Sequence, residues 1–464
     1  MARLSSLGLL LLLLCVSAAP AIAQPATAEV VPGAETAFAS GLESYTSGNY
    51  GEAYRHFSRA ASEYGYNEKT TAALLMAGKA AYADGLFGRA RGVLDQLLAE
   101  YPGSRYAPEA RRLRERASGE DVQVPFDLGV LLPAGGSDEH FGQALFNGIR
   151  IAVDEHNAAR PRRPVRMVFR ATDGTAEAAA GAVREVAAEG AEAVIGPLYS
   201  AEAVAAAEAA DRAGVVLLAP LATGDAVTDG RAQAFQANPS FSARGRAMAR
   251  YAVEELDYRR LGVVSEAGSF GEDMGEAFAE EASRLGAAVV FQERLAGAAG
   301  WGDLERRVGA AVLQRAQAVY LPVTGDGASD YAADALRSLE ALPAPPRPLG
   351  NTEWEGLSGS RPRASRLAAL FTTDFFSAPG TVDDFGARYR RLSGIGPDRL
   401  SLMGYDLTRF LLSEVDDDEG ALVERLRTAP TFQGLAHRFN FDGGQVNHAL
   451  FILAYRGGNA ILVE

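Results

Sequence analysis

Cysteine is almost missing: Cys15 is the only one in 464 residues. It lies in a stretch that runs from Arg3 through the apolar segment Leu7 to Val16 to Ala21-Ile22-Ala23. A basic start, a short apolar run and an A-x-A site mark residues 1–23 as a secretory signal peptide. The run is too short for a membrane-spanning helix, which takes about 20 apolar residues. Cleavage after Ala23 leaves no thiol. That excludes a cysteine nucleophile, a disulfide framework and a cysteine metal site. A lipoprotein would be acylated on Cys15, but lipid attachment calls for a small residue before the cysteine, and Leu14 is not small. Later apolar runs are all too short to cross a bilayer, so the mature chain is expected in the periplasm or outside the cell.

Lysine is scarce too, with only Lys69 and Lys79. Acidic residues number 59 against 45 basic ones, a formal charge of −14. Such a surface disfavours nucleic acid and anionic membranes as partners. The five histidines, His56, His140, His156, His437 and His448, show no metal-ligand spacing. Neither a G-x-S-x-G elbow nor a G-x-x-x-x-G-K-[ST] loop is present. Asp416-Asp417-Asp418-Glu419 lacks the calcium-loop spacing and reads as a solvated helix start. The expectation is no enzyme, no metal and no cofactor.

What is present is ordinary globular material, 48% apolar and 22% charged, with length for about three domains. Residues 34–67 align with 71–104 at an offset of 37. Gly41 matches Gly78, Tyr45 matches Tyr82, Tyr50 matches Phe87, Ala53 matches Ala90 and Phe57 matches Leu94. Small residues let two helices approach, and aromatics fill the space between them. The segment 34–117 resembles the tetratricopeptide repeat, with Pro108 to Ala117 as a capping helix. Residues 118–124 read as a linker. From Phe126 onward, apolar runs alternate with Ala/Glu/Arg-rich helical stretches. Strands are expected at 126–132, 165–171, 191–196, 215–219, 261–265, 287–293, 317–323 and 369–373. Helices are expected at 141–157, 176–189, 201–212, 242–256, 271–285 and 303–314. This alternation predicts βαβ units in parallel sheets, over more residues than one core supports. Near the end, 437–442 and 447–455 read as a hairpin around Asp442-Gly443-Gly444.

Several blocks carry a resemblance. They are Gly129-Val130-Leu131-Leu132-Pro133, Phe146-Asn147-Gly148, Ala193-Val194-Ile195-Gly196-Pro197, Leu218-Ala219-Pro220, Phe270-Gly271 and Phe439-Asn440-Phe441-Asp442. In this order and spacing, residues 125–464 resemble a type I periplasmic binding protein of the Leu/Ile/Val-binding branch. The resemblance implies an α/β fold of two Rossmann-like lobes joined by a three-crossing hinge. Lobe one would hold about 125–241 and 375–436, and lobe two about 242–374 and 437–464. A small all-α domain would precede them.

Open α/β sheets bind ligands at the carboxyl ends of their strands. One such end leads into Tyr199-Ser200, where Ser200 reads as a helix N-cap able to face either the helix amides or a ligand anion. Another leads into Ala222-Thr223. By resemblance, Ser200 and Thr223 would take the carboxylate of an amino acid. Glu353, or second Glu355, would take its ammonium group, and Phe270 would cover the ligand. Tyr199 and Tyr405 are weaker wall candidates, and each aromatic has an ordinary packing role as its alternative. Thr324-Gly325-Asp326-Gly327 stands where amino-acid binders often carry an aromatic, which leaves other small polar solutes open.

Two functions follow. One is a solute-binding protein that closes on an amino acid or similar ligand and docks on a membrane permease, as in an ABC transporter. The other is a cell-envelope scaffold similar in layout to the activators of penicillin-binding proteins. Its helical repeats would hold a protein partner.

Overall fold

The computed structural model describes residues 28–84, 86–118, 125–159, 161, 163–415 and 420–463. The expected signal peptide with Cys15, most of the expected linker, and Asp416–Glu419 lie outside the described residues. The chain divides into two compact units, residues 1–124 and 125–464.

The first unit is helical: α1 (Pro32–Thr46), α2 (Tyr50–Ser62), α3 (Thr70–Ala83), α4 (Phe87–Glu100) and α5 (Ala107–Arg116). Its two hairpins repeat the same contacts. A Cβ on Gly41 would run into the Phe57 ring, and one on Gly78 into the Leu94 side chain. Tyr45 meets Tyr50 edge-on with ring centroids 5.3 Å apart, and Tyr82 meets Phe87 at 5.2 Å. The sequence offset is therefore a structural repeat. Helix α5 buries Ala107, Ala110 and Leu113 on one face.

In the second unit, one lobe begins with β1 (Phe126–Pro133), α6 (Glu139–Ala158), β2 (Val165–Thr172), α7 (Ala176–Ala188), β3 (Ala193–Ile195), α8 (Ser200–Ala213), β4 (Val216–Ala219) and β5 (Ala234–Gln236). These strands form a parallel sheet in the order β2-β1-β3-β4-β5. Its central strands read as continuous apolar runs because helices cover both faces. The other lobe follows: α9 (Phe241–Arg250), β6 (Arg260–Glu266), α10 (Phe270–Arg284), β7 (Ala288–Leu295), α11 (Leu304–Val308), α12 (Ala310–Leu313), β8 (Ala318–Tyr320), α13 (Ala328–Glu340), β9 (Arg347–Gly350), α14 (Arg361–Arg366) and β10 (Leu370–Thr373). The chain then returns to the first lobe for α15 (Asp383–Ser393), α16 (Arg399–Ser413), α17 (Leu422–Thr428), β11 (Phe432–Gln433) and β12 (Arg438–Phe439). It ends in the second lobe with β13 (Phe451–Arg456) and β14 (Asn459–Leu462). That sheet runs β14-β13-β10-β9-β8-β6-β7, with β13 and β14 antiparallel. The expected fold class, α/β with parallel sheets behind an all-helical segment, is the one observed.

Close helix packing fixes each lobe. In the first, Gly148 of α6 lies against the Ser401 carbonyl of α16, and Gly404 lies against the Leu145 carbonyl. In the second, Gly245 of α9 lies against the Met274 carbonyl of α10. The crossings between lobes are bonded to one another. Gln236 N–H donates to the Gln445 carbonyl at 2.8 Å, and Asn447 N–H donates to the Gln236 carbonyl at 2.9 Å. Phe376 N–H donates to the Ala436 carbonyl at 2.9 Å.

Three expectations need correction. Residues 437–442 and 447–455 do not pair as a hairpin. β12 pairs with β11, and β13 pairs with β10 and β14. The turn at Asp442-Gly443 exists, but Phe439 and Phe441 bury themselves in the first lobe's core with Phe410. The hairpin lies one element later, where Gly457 and Gly458, both with positive φ, join β13 to β14. The helix expected at 303–314 is broken at Gly309, whose φ is 91°. Strands β5 and β9 went unread. β5 has only three residues, and β9 contains Pro348, which speaks against a central strand.

Candidate ligand-binding cleft

A cavity of about 270 Å³ opens where the crossings meet the two lobes. Its wall includes Leu221, Asn238, Arg399 and Met403 from the first-lobe side, and Phe241, Arg244, Met274 and Glu353 from the second. Asp374 and His437, from segments next to the crossings, join Thr324, Asn351 and Thr352 in its polar lining.

A buried ion cluster organises it. Arg244, on the inner face of α9, bonds through all three guanidinium nitrogens. They donate to the Pro239 carbonyl at 3.1 Å, Thr352 Oγ1 at 2.8 Å, Asp374 Oδ1 at 2.8 Å and Asn238 Oδ1 at 2.6 Å. Arg399, at the start of α16, reaches the other Asp374 oxygen at 2.7 Å and lies over the Phe375 ring at 5.0 Å. One carboxylate is thus held by a guanidinium from each lobe. Burial would raise the Asp374 pKa, but Arg244 and Arg399 outweigh it and hold the carboxyl far below its ordinary value. Asn238 links this cluster to the loop after β4 by donating to the Leu221 carbonyl at 3.0 Å.

That loop holds two of the expected ligand residues. Ser200 Oγ accepts the N–H groups of Thr223 at 3.2 Å and Gly224 at 3.3 Å. Ser200 is not the N-cap; Tyr199 holds that position without a side-chain cap, and Ser200 is the first helical residue. Its hydroxyl ties two strand ends together instead of capping its own helix. Having accepted twice, it keeps its proton to donate. Ala222 points its methyl into the first lobe's core, so only its backbone can meet a ligand.

Glu353 stands in the cavity wall, in the turn after β9. Glu355 lies deeper, accepting from the Thr373 hydroxyl and 3.8 Å from Arg399; burial raises its pKa. Phe270 is 60% exposed and stacks on the cavity residue Phe241 with centroids 4.4 Å apart. Of the expected residues only Glu353 lines this cavity; Ser200, Ala222, Thr223, Glu355 and Phe270 stand near its lining residues without being part of it, and two others lie apart from it. Tyr199 lines a separate cavity of about 500 Å³ with Asp138, Asp173 and Glu202. Tyr405 is buried among Ile151, Ala152 and Phe385, and its hydroxyl donates to Glu155 at 2.8 Å. Burial first, and then Glu155, push that phenol up to about 12. Arg244, Asp374, Arg399, Asn238 and His437 were not read from sequence. No local spacing marks them, since Arg244 and Asp374 lie 130 residues apart.

The sequence pattern of the periplasmic binding proteins matches residues 125–459. The chain belongs to this family. Curated relatives include Leu/Ile/Val-binding protein homolog 3 of Brucella melitensis, 23% identical over 64% of this chain and 82% of the relative. An amino acid binding protein of Pseudomonas aeruginosa is 27% identical over 36% of this chain and 46% of the relative. Among solved structures, a putative branched-chain amino acid ABC transporter from Rhodospirillum rubrum shares the fold with a TM-score of 0.62. It is 22% identical and covers 73% of this chain and all of its own. A substrate-binding protein from Desulfitobacterium hafniense complexed with Leu has a TM-score of 0.53 at 22% identity, again over 73% of this chain and all of its own. Membership makes this a substrate-binding fold with an extracytoplasmic location. Among the described residues, no helix is long and apolar enough to cross a membrane.

Proposed function

We propose that the chain is a solute receptor that closes its two lobes on an amino acid or similar small zwitterion and presents it to an ABC-type permease. The carrying observation is a cavity between the lobes with a carboxylate, Glu353, and a guanidinium, Arg399, both on its wall. Such a pair of opposite charges suits a ligand that carries both an ammonium and a carboxylate. The Ser200 and Thr223 hydroxyls supply further donors beside the loop that Leu221 brings to the cavity. Phe270 and Phe241 supply an apolar lid. The relatives named for Leu/Ile/Val or amino acid binding support the same ligand class.

Calorimetric titration of residues 24–464 with leucine, isoleucine, valine and other amino acids tests this. Micromolar binding is expected, weakened at least about tenfold by Glu353→Ala and by Thr223→Ala, as loss of a charged or hydroxyl contact implies. A folded protein that gives no heat with any amino acid overturns the reading.

A further inference from the structure

Resting on that reading, we infer that His437 reads a hydrogen-bond donor on the ligand's side chain, so that the receptor selects amino acids bearing a hydroxyl or amide there.

His437 belongs to the cavity wall and is 1% exposed. Its ring is fixed on three sides. Nδ1 lies 3.2 Å from Asp406 Oδ2, Phe375 meets it edge-on at 5.4 Å, and Phe439 lies parallel at 6.5 Å. Asp406 is itself immobile. It is fully buried in α16, and its oxygens accept the N–H groups of Leu435 at 2.7 Å, Ala436 at 2.9 Å and His437 at 3.0 Å. A carboxylate at Nδ1 places the imidazole proton there and leaves a lone pair at Nε2.

That Nε2 is buried and has no partner among the described residues. Several other buried side-chain atoms also lack partners, including Trp301 Nε1, Trp354 Nε1 and Thr372 Oγ1. Among the residues with such atoms, His437 is the one on the cleft cavity. An orphaned buried acceptor is unfavourable and calls for a reason. A phenylalanine would fill the space between Phe375 and Phe439 without that penalty. On the proposed function, the charged ends of a zwitterion have Glu353 and Arg399 of the cavity wall to meet. What Nε2 lacks is a neutral donor, which a hydroxyl or carboxamide side chain brings and an aliphatic one does not. A site built around a hydrogen bond discriminates strongly against an isostere that lacks it.

Two isosteric pairs are the probes: threonine against valine, and asparagine against leucine. Calorimetry on residues 24–464 is expected to show the polar member of at least one pair binding tenfold or more tightly than its apolar partner. His437→Asn keeps a donor for Asp406 and removes the acceptor at Nε2; it is expected to shrink that ratio to below about threefold. His437→Gln restores an acceptor near the Nε2 position and is expected to recover part of the ratio. Thermal unfolding of each variant confirms the fold. If valine and leucine bind as tightly as their polar isosteres, or if His437→Asn leaves the ratio intact, this inference fails while the amino-acid reading stands. Absence of binding by all four overturns this inference, and absence of binding by every amino acid overturns the proposed function as well.

Discussion

Asp374 ties the two lobes together at the hinge, because its two oxygens are held by Arg244 and by Arg399. Arg244 and Asp374 are both over nine-tenths buried, so removing one leaves the other charge stranded. Asp374→Ala is expected to cost about 3–5 kcal/mol in chemical denaturation, as loss of one partner of a buried pair does. The pH dependence follows from the lowered pKa. A carboxyl whose folded pKa lies below its unfolded value, about 3.9, contributes stability in full above that value. The contribution falls away as pH drops further towards the folded pKa. Thermal midpoints measured from pH 7 to pH 3 should therefore decline at the acid end, and Asp374→Asn should flatten that decline. A variant with the same acid slope would remove Asp374 as its source.

Glycine has opposite meanings on different helices. Gly148 lets α6 touch α16, and an added methyl would meet the Ser401 backbone. Gly148→Ala is expected to destabilise the protein by about 1–3 kcal/mol. Gly92, on the exposed side of α4, has nothing near its missing Cβ. Gly92→Ala is expected to stabilise that helix by about 0.5–1 kcal/mol, read as a higher urea midpoint of the helical transition. The same contrast shows what the sequence could reveal. Apolar runs such as Val216–Ala219 announced their strands, and the Gly41/Gly78 repeat announced paired helices, because those signals are local and periodic. β9 was hidden by Pro348, and the end of the chain was misread because a Gly-rich turn says nothing about which strands its flanks will join. Glu353 was indicated only by the resemblance, since the strand before it carried no readable signal. Tyr405 takes the packing role that was its alternative; α16 is buried on nearly all sides, which hides the face that meets the cleft. The Arg244–Asp374–Arg399 cluster is a product of tertiary contact, with no pattern to find beforehand.

At the scale of the whole molecule, the cleft is built entirely from residues of the second compact unit. A fragment of residues 125–464 is therefore expected to bind the same amino acids within about threefold of the full chain's affinity; loss of binding would assign the helical unit a part in recognition. Neither lobe is contiguous in sequence. Phe410, Phe439 and Phe441 fill the core under β1, β3 and β4, while Phe451, Leu453 and Tyr455 fill the one beside β10. During synthesis, β1 to β5 leave the ribosome well before Phe410, Phe439 and Phe441, which complete their core. The first lobe's core is complete only with Phe441, and the second's only with Tyr455. The threading of the hinge thus sets an order of assembly: strands made early in each lobe wait for core residues that the chain supplies only after it has crossed to the other lobe and back.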